Sequence, residues 1–254
     1  MESQLQKDTT ALFNACREGN NDIVRSLLEN NTLIINTIIN YDNVLNDFER
    51  SRNVRDRQHE KTAFLLAAES GQLDTIKLLE KYRAEITLRT SKGNTALHLA
   101  AKNNHLNVVK YLIEEKGFKI DEENIYGDTA LNKAANDGAL ECIIYLINKD
   151  ANVLKIDLDG KSVLYHAVFS GSLDCVKAIA QSIPEGVLKT HINYPTKKYE
   201  LTALHWAVKE GFEDIVRYLL SKGADASLKT KFKKNARDLA KDPRVIRVLQ
   251  DANK

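Results

Sequence analysis

Thr95-Ala96-Leu97-His98-Leu99-Ala100-Ala101 is the stretch whose recurrence decides how the chain folds. It returns as Thr129-Ala130-Leu131-Asn132-Lys133-Ala134-Ala135 and as Thr202-Ala203-Leu204-His205-Trp206-Ala207-Val208. Looser copies begin at Thr10, Thr62 and Ser162, and a degenerate one at Asn235. The anchor spacings are 62 to 95 (33), 95 to 129 (34), 129 to 162 (33) and 202 to 235 (33), with two longer gaps, 10 to 62 (52) and 162 to 202 (40). Self-similarity at such a period marks small supersecondary units that stack on one another.

Nine residues after the anchors stand Gly19, Gly71, Asn104, Gly138, Gly171 and Gly211. Asn104 is informative, because Asn is the next best residue after Gly for left-handed backbone. Apolar residues follow at i, i+1, i+4 and i+5: Ile23, Val24, Leu27 and Leu28, then Val108, Val109, Leu112 and Ile113, then Ile215, Val216, Leu219 and Leu220. That spacing marks the buried stripe of a helix. Before the turn lies a short Ala-rich helix, with the anchor hydroxyl as its N-cap candidate. Each unit is thus a helix pair around a left-handed turn. It is too small to bury its own apolar face, so copies must stack.

The period and the Thr-Ala-Leu-His-x-Ala signature resemble the ankyrin repeat. The resemblance covers about seven copies, from near Thr9 to the C-terminus. It implies an all-α solenoid of helix pairs with hairpin or loop fingers, forming one domain over 1–254. Two features depart from the pattern: Ala or Val replaces the usual Pro after the anchor, and the last copy is degraded, with Pro243 just before the expected Gly position. A C-terminal cap should look like this, with Val245, Ile246, Val248 and Leu249 on its outer helix and Arg244, Arg247 and Gln250 facing water.

Two insertions break the period. The first adds 19 residues (52 − 33) within 32–60, and the second adds 7 (40 − 33) within 183–200. The first has an apolar half (Leu33, Ile34, Ile35, Ile38, Ile39), expected to pack on the first repeats, and a charged half with an extra helix near Val44 to Arg52. Its Arg50, Arg52, Arg55 and Arg57 alternate with Glu49, Asp56 and Glu60, which suggests a solvated tip or polar rim. The second, holding Pro184 and Pro195, reads as an extended finger or loop. Both end on Glu (Glu60, Glu200) where other repeats have Gly93, Gly127 and Gly160, so their turns should differ from a standard finger.

Composition narrows the function. The chain has 254 residues, 43% hydrophobic and 28% charged, enough to bury a core. Its 37 basic and 35 acidic residues nearly balance at a net charge of +2, giving no whole-protein reason to bind nucleic acid or an anionic membrane. Three cysteines argue against a disulfide framework and fit a reducing compartment. No segment has the roughly 20 apolar residues that span a bilayer, and Met1 to Lys7 lacks the apolar core of a secretory signal. The chain reads as a soluble, cytoplasmic monomer, made almost wholly of repeats. Asn, Ile and Lys are abundant, suggesting an AT-rich genome, and short ankyrin-only proteins from such genomes resemble effectors that intracellular bacteria deliver into host cells.

The search for chemistry finds no phosphate-binding loop, no Cys-x-x-Cys and no zinc helix. Cys142 and Cys175 fall thirteen residues after their anchors, on a buried outer-helix position shared with Ile23, Val108 and Ile215, and Cys16 replaces an Ala. Family resemblance implies that His98 and His205 hydrogen-bond between adjacent loops. A Cys175–His166 nucleophile pair is rejected because register buries the thiol. Asp157, Asp159 and Asp174 form no metal-loop spacing. No catalytic residue, cofactor, metal or small-molecule substrate is expected; the alternative, an enzyme with a site built from the two insertions, would need a cleft of shifted-pKa groups, and the sequence shows no such constellation.

What remains is surface. The resemblance implies a partner protein in a concave groove, touched by positions four, three and one before the anchor and seven and eight after it. Those positions include Gln58, His59 and Lys61, then Lys92 and Lys102, then Ile125, Tyr126 and Asp128, then Leu158, Asp159 and Phe169, then Lys198 and Tyr199. Ile125, Tyr126, Leu158, Phe169 and Tyr199 are unexpected on a solvated face and have the composition of an interface hot spot. The weaker candidate is a basic run, Lys222, Lys229, Lys231, Lys233 and Lys234 with Phe232 among them, plus Lys197 and Lys198. It would suit an acidic partner segment; the alternative is nucleic acid or an anionic surface, nucleic acid fitting less well because arginine is scarce there.

Overall fold

The computed structural model describes residues 4–37, 39–40 and 60–252. The expected helix at Val44 to Arg52, the arginines at 50, 52, 55 and 57, and the candidates Gln58 and His59 lie outside these residues. The chain divides into two compact units, 1–119 with 123–125 and 120–122 with 126–254.

The first unit holds α1 (Gln4–Glu18), α2 (Asn21–Asn30), a 3₁₀ turn (Thr32–Ile34), β1 (Ile39–Asn40), β2 (Glu60–Lys61), α3 (Ala63–Glu69), α4 (Leu73–Lys81), α5 (Ala96–Lys102) and α6 (Leu106–Glu114). Inner helices α1, α3 and α5 pack in sequence, and α2 packs on α4. The second unit holds α7 (Ala130–Asp137), α8 (Leu140–Asn148), α9 (Val163–Ser170), α10 (Leu173–Ser182), α11 (Glu185–Ile192), α12 (Ala203–Glu210), α13 (Glu213–Ser221), α14 (Ala236–Leu239) and α15 (Pro243–Asp251). There α7, α9, α12 and α14 form the inner row, and α8, α10, α13 and α15 the outer one. Among the described residues the only paired strands are the two-residue segments β1 and β2, antiparallel with Ile39 opposite Lys61.

From Thr62 onward the anchors start the inner helices as expected. Thr62 and Ser162 accept hydrogen bonds from the Leu65 and Tyr165 amides at 3.3 and 3.1 Å. At Thr129 and Thr202 the residue three on, Asn132 or His205, returns a bond to the anchor amide, forming a capping box. Helices close together need small side chains, and Ala63, Ala67, Ala96, Ala100, Ala130 and Ala134 are fully buried. The turn nine residues after the anchor is left-handed in the first six repeats, with φ of 59° at Asn104 and 74° at Gly138. The C-terminal cap also forms: Val245, Val248 and Leu249 are buried, while Arg244, Arg247 and Gln250 face water.

Four expectations need correction. Thr10 is no N-cap, because α1 starts six residues earlier at Gln4 and runs through it. Ile23 is 45% exposed, whereas Thr75, Val108, Cys142, Cys175 and Ile215 at the same position are buried. The Thr75 hydroxyl shows why: it donates to Asn21 of the preceding repeat, and among the described residues no repeat stands before that of Ile23. The 183–200 insertion is not an extended finger. Pro184, at φ −55°, sits at the N-cap of α11, where its fixed φ and missing N–H cost nothing, and the helix buries His191 and Ile192. Finally, Glu200 takes the same left-handed backbone (φ 54°) as Gly93, Gly127 and Gly160. The finger does differ in length: Thr196 pairs with Leu201 where Thr90 pairs with Asn94 and Asp157 with Lys161.

Gly186 lies exposed inside α11 with ordinary helical backbone and open space where a Cβ would stand. Gly186→Ala should therefore stabilise the protein by about 0.5–1 kcal/mol. A shift of the urea midpoint to higher concentration with unchanged slope is the expected reading.

Candidate partner-binding surface

The fingers before the inner helices are joined main chain to main chain. In the first unit the Ile125 amide donates to the Lys92 carbonyl at 3.2 Å. In the second, Leu158 donates to Tyr126 (2.9 Å), Lys197 to Asp159 (2.8 Å) and Lys231 to Tyr199 (3.0 Å). This frame holds tip side chains out of the core whatever their chemistry.

Of the first unit's candidates, Ile125 and Lys102 are exposed and Lys92 is half-buried. In the second unit Tyr126, Leu158, Phe169 and Tyr199 are 48, 62, 45 and 41% exposed, and Asp159 and Lys198 are exposed as well. The aromatic rings are supported from one side. Phe169 of α9 stacks on Trp206 of α12, with centroids 5.0 Å apart, and the Lys209 ammonium lies 4.6 Å over the indole. Tyr199 stacks on Phe232 at 6.3 Å, and the Lys198 ammonium sits 4.9 Å over Tyr199. Each ring therefore keeps one side against its neighbour and leaves part of its surface to solvent.

Asp128 does not belong to this surface. It is 5% exposed, and its Oδ2 accepts from the Lys133 ammonium at 2.6 Å. Lys61, also one before its anchor, is likewise buried and paired with Glu69. The position turns inward because a charged partner on the following helix captures it.

The inward turn builds a polar cluster that sequence spacing did not reveal. His166 Nε2 lies 3.0 Å from Asp157 Oδ2 and 3.6 Å from Asp128 Oδ1, while Nδ1 lies 3.3 Å from Asn136 Oδ1. Burial pushes the Asp157 carboxyl up, but hydrogen bonds from His166 and from the Lys161 amide, with the charges of both residues, outweigh it and hold the group below the ordinary carboxylate value. Asp128, Asp157 and His166 each bring a potential metal-ligand atom within 4.8 Å of the others. The donor set nevertheless fits a cation poorly, because the Lys133 ammonium already neutralises Asp128 and the Lys161 amide occupies Asp157 Oδ1. The cluster reads as an internal tie between the repeat of α7 and that of α9.

The thiols have no nucleophilic setting. All three cysteines are buried and unpaired by disulfides, and burial pushes Cys16 and Cys142 up to about 12 and raises Cys175 as well. His205 fulfils the loop-bridging role: Nδ1 accepts from the Thr202 amide at 3.0 Å, and Nε2 lies 3.0 Å from the Leu228 carbonyl of the next finger.

Trp206 escaped the sequence reading as the support of Phe169, and Phe232, named there only within the basic run, as the support of Tyr199. The signal was a register rule: position seven of one repeat meets position four of the next. Asn136 with His166 and Phe169 with Trp206 are that same contact in successive repeats.

Comparison with known proteins decides the family. A model described as ankyrin repeats (three copies) matches residues 1–89, 38–124, 116–190 and 159–230. The chain belongs to the ankyrin-repeat family.

Ankyrin-repeat relatives are distant in sequence and near in fold. Mouse Rabankyrin-5 (Mus musculus) is 28% identical over 190 residues, which is 74% of this chain and 16% of that protein, so the chain spans a small fraction of such relatives. The ankyrin domain of Bcl-3, described as a unique member of the IkappaB family, superposes with a TM-score of 0.62 at 25% identity over 94% of this chain and 97% of that one. The human ASB11 ankyrin domain gives a TM-score of 0.72 at 20% identity, over 95% and 96% of the two chains. Among the described residues no helix is long and apolar enough to cross a membrane.

Proposed function

We propose that this ankyrin protein is a non-catalytic scaffold that binds a partner polypeptide in the cytoplasm, through the exposed apolar side chains of its second unit. Ankyrin repeats are generally protein-interaction domains. The observation that carries the reading is the exposure of Tyr126, Leu158, Phe169 and Tyr199 on successive fingers and an inner helix. Large apolar side chains held outward by a hydrogen-bonded frame supply contact area at little conformational cost. Asp159 and Lys198 form a polar rim, and Ile125, Lys92 and Lys102 are the corresponding candidates in the first unit. The protein acts as an adaptor or competitor, and delivery into a host cell as an effector is the setting that its composition suggests.

The test compares capture from eukaryotic cell lysate by the wild type and by a Tyr126→Ala/Phe169→Ala/Tyr199→Ala variant whose helical content and unfolding midpoint match. Truncating these three rings costs at least about 3 kcal/mol, so the partner's Kd should rise by roughly a hundredfold or more. Equal capture by both proteins would sink the proposal.

A further inference from the structure

The last finger carries Lys229-Thr230-Lys231-Phe232-Lys233-Lys234, four lysines and one aromatic ring in six residues. Phe232 is 69% exposed, the highest value among the exposed large hydrophobic side chains described. Local structure holds it there. Buried Thr230 closes the turn: its amide donates to the Lys234 carbonyl (2.9 Å), its carbonyl accepts from Lys233 (2.8 Å), and its hydroxyl accepts from the Phe232 amide (3.3 Å). Lys233 sits at φ 60°, where three other fingers have Gly. A non-Gly residue at this backbone costs free energy, so the finger keeps lysine there against its local conformational preference.

Charge on this finger is uncompensated. Lys61, Lys133 and Lys161, on earlier fingers and helices, are each paired with a carboxylate. Lys229, Lys231, Lys233 and Lys234, together with Lys197 and Lys198 on the neighbouring finger, are all exposed, and none forms an ion pair among the described residues. The two fingers are joined by the Lys231–Tyr199 backbone bond and by the stacked Tyr199 and Phe232 rings. Six like charges are therefore gathered around an apolar platform.

We infer that this platform docks an acidic polypeptide segment carrying one apolar anchor residue. The carboxylates answer the lysines and the anchor covers Phe232, so a bare anion would satisfy only half of the surface. Nucleic acid fits less well. The patch holds no arginine, the residue suited to bidentate phosphate and base contacts, and the whole-chain charge of +2 supplies no long-range field. The inference shares with the proposed function the premise that the partner is a polypeptide, together with Tyr199 and Lys198, and it needs neither Tyr126 nor Phe169.

Fluorescence anisotropy with the full chain tests it. The probe is a dye-labelled synthetic peptide of glutamates flanking a single leucine. Saturable binding is expected, weakening roughly tenfold as salt screens the charges. Lys231→Glu/Lys233→Glu and, separately, Phe232→Ser should each weaken it by about tenfold or more. These side chains are exposed, so both variants should fold. Tyr126→Ala/Phe169→Ala should bind the peptide as the wild type does. No binding, equal binding by the charge-reversed variant, equal binding of a peptide with serine in place of leucine, or tighter binding of oligothymidylate would each overturn the inference. Such a failure leaves Tyr126 and Phe169 to carry lysate capture, and loss of that capture in Tyr126→Ala/Phe169→Ala, which keeps Tyr199, leaves this inference untouched.

Discussion

Replacing Asp157 with Ala is expected to remove about 3 kcal/mol of unfolding free energy, because it leaves a buried polar partner without its counterpart. The Asp157 side chain is 5% exposed and that of His166 8%, so water cannot take over the lost bond. The Lys161 amide, which donates to Asp157 Oδ1 at 2.8 Å, loses its acceptor as well. Asp159→Ala provides the control two residues away: that side chain is 74% exposed, and its pair with Lys161 should be worth well under 1 kcal/mol. Urea unfolding of both variants at neutral pH reads the contrast, and equal midpoints would mean that the cluster ties nothing together. The pH dependence has a fixed sign. Asp157 titrates lower in the folded protein than its ordinary value. Its stabilisation is therefore fully present above the unfolded carboxylate value of about 3.9 and is lost as pH falls through the lowered folded one. Asp157→Asn should be less stable than the wild type at pH 7, and the gap should close below about pH 4.

The second large effect is expected at Gly160. Its φ is 81°, and an added Cβ would lie 2.8 Å from the Lys197 backbone nitrogen, the donor that joins this finger to the next. Gly160→Ala thus combines a left-handed backbone penalty of about 1–2 kcal/mol with displacement of a main-chain hydrogen bond. Gly117 separates the two terms: its φ is 67°, and a Cβ added there would meet nothing within 4 Å. Gly117→Ala should cost only the backbone term. Gly160→Ala should cost roughly twice as much, with faster amide exchange at Lys197. Equal losses in the two variants would show that the finger accommodates the methyl group.

The repeat, its helix pair and its turn were legible because each rests on local chemistry that recurs in phase: a hydroxyl anchor, Ala where helices touch, Gly or Asn at the turn. Position-specific outcomes were legible only where neighbours do not matter. Ile23 reads like Val108 in its own repeat, yet no preceding repeat among the described residues covers that site. Glu200 and Lys233 look unlike Gly93, yet the hydrogen bonds of their fingers impose the same left-handed backbone. Pro184 and Pro195 suggested an extended segment, but a proline at the start of a helix is compatible with it, and α11 follows. The exposed aromatics were found by register, whereas their stacking partners Trp206 and Phe232 come from the next repeat. So does most of the Asp128–Asp157–His166 cluster, which no spacing along one repeat contains.

The main-chain bonds that join successive finger tips, from Lys197 to Asp159 and from Lys231 to Tyr199, run between backbone amides and carbonyls. Alignment of the tips is consequently indifferent to what the tips say. A leucine at 158, a lysine at 197 and a lysine at 231 are held by the same grammar, and substitution changes the word without disturbing the sentence. Such a chain can acquire a new binding partner one residue at a time while its architecture stays under separate selection.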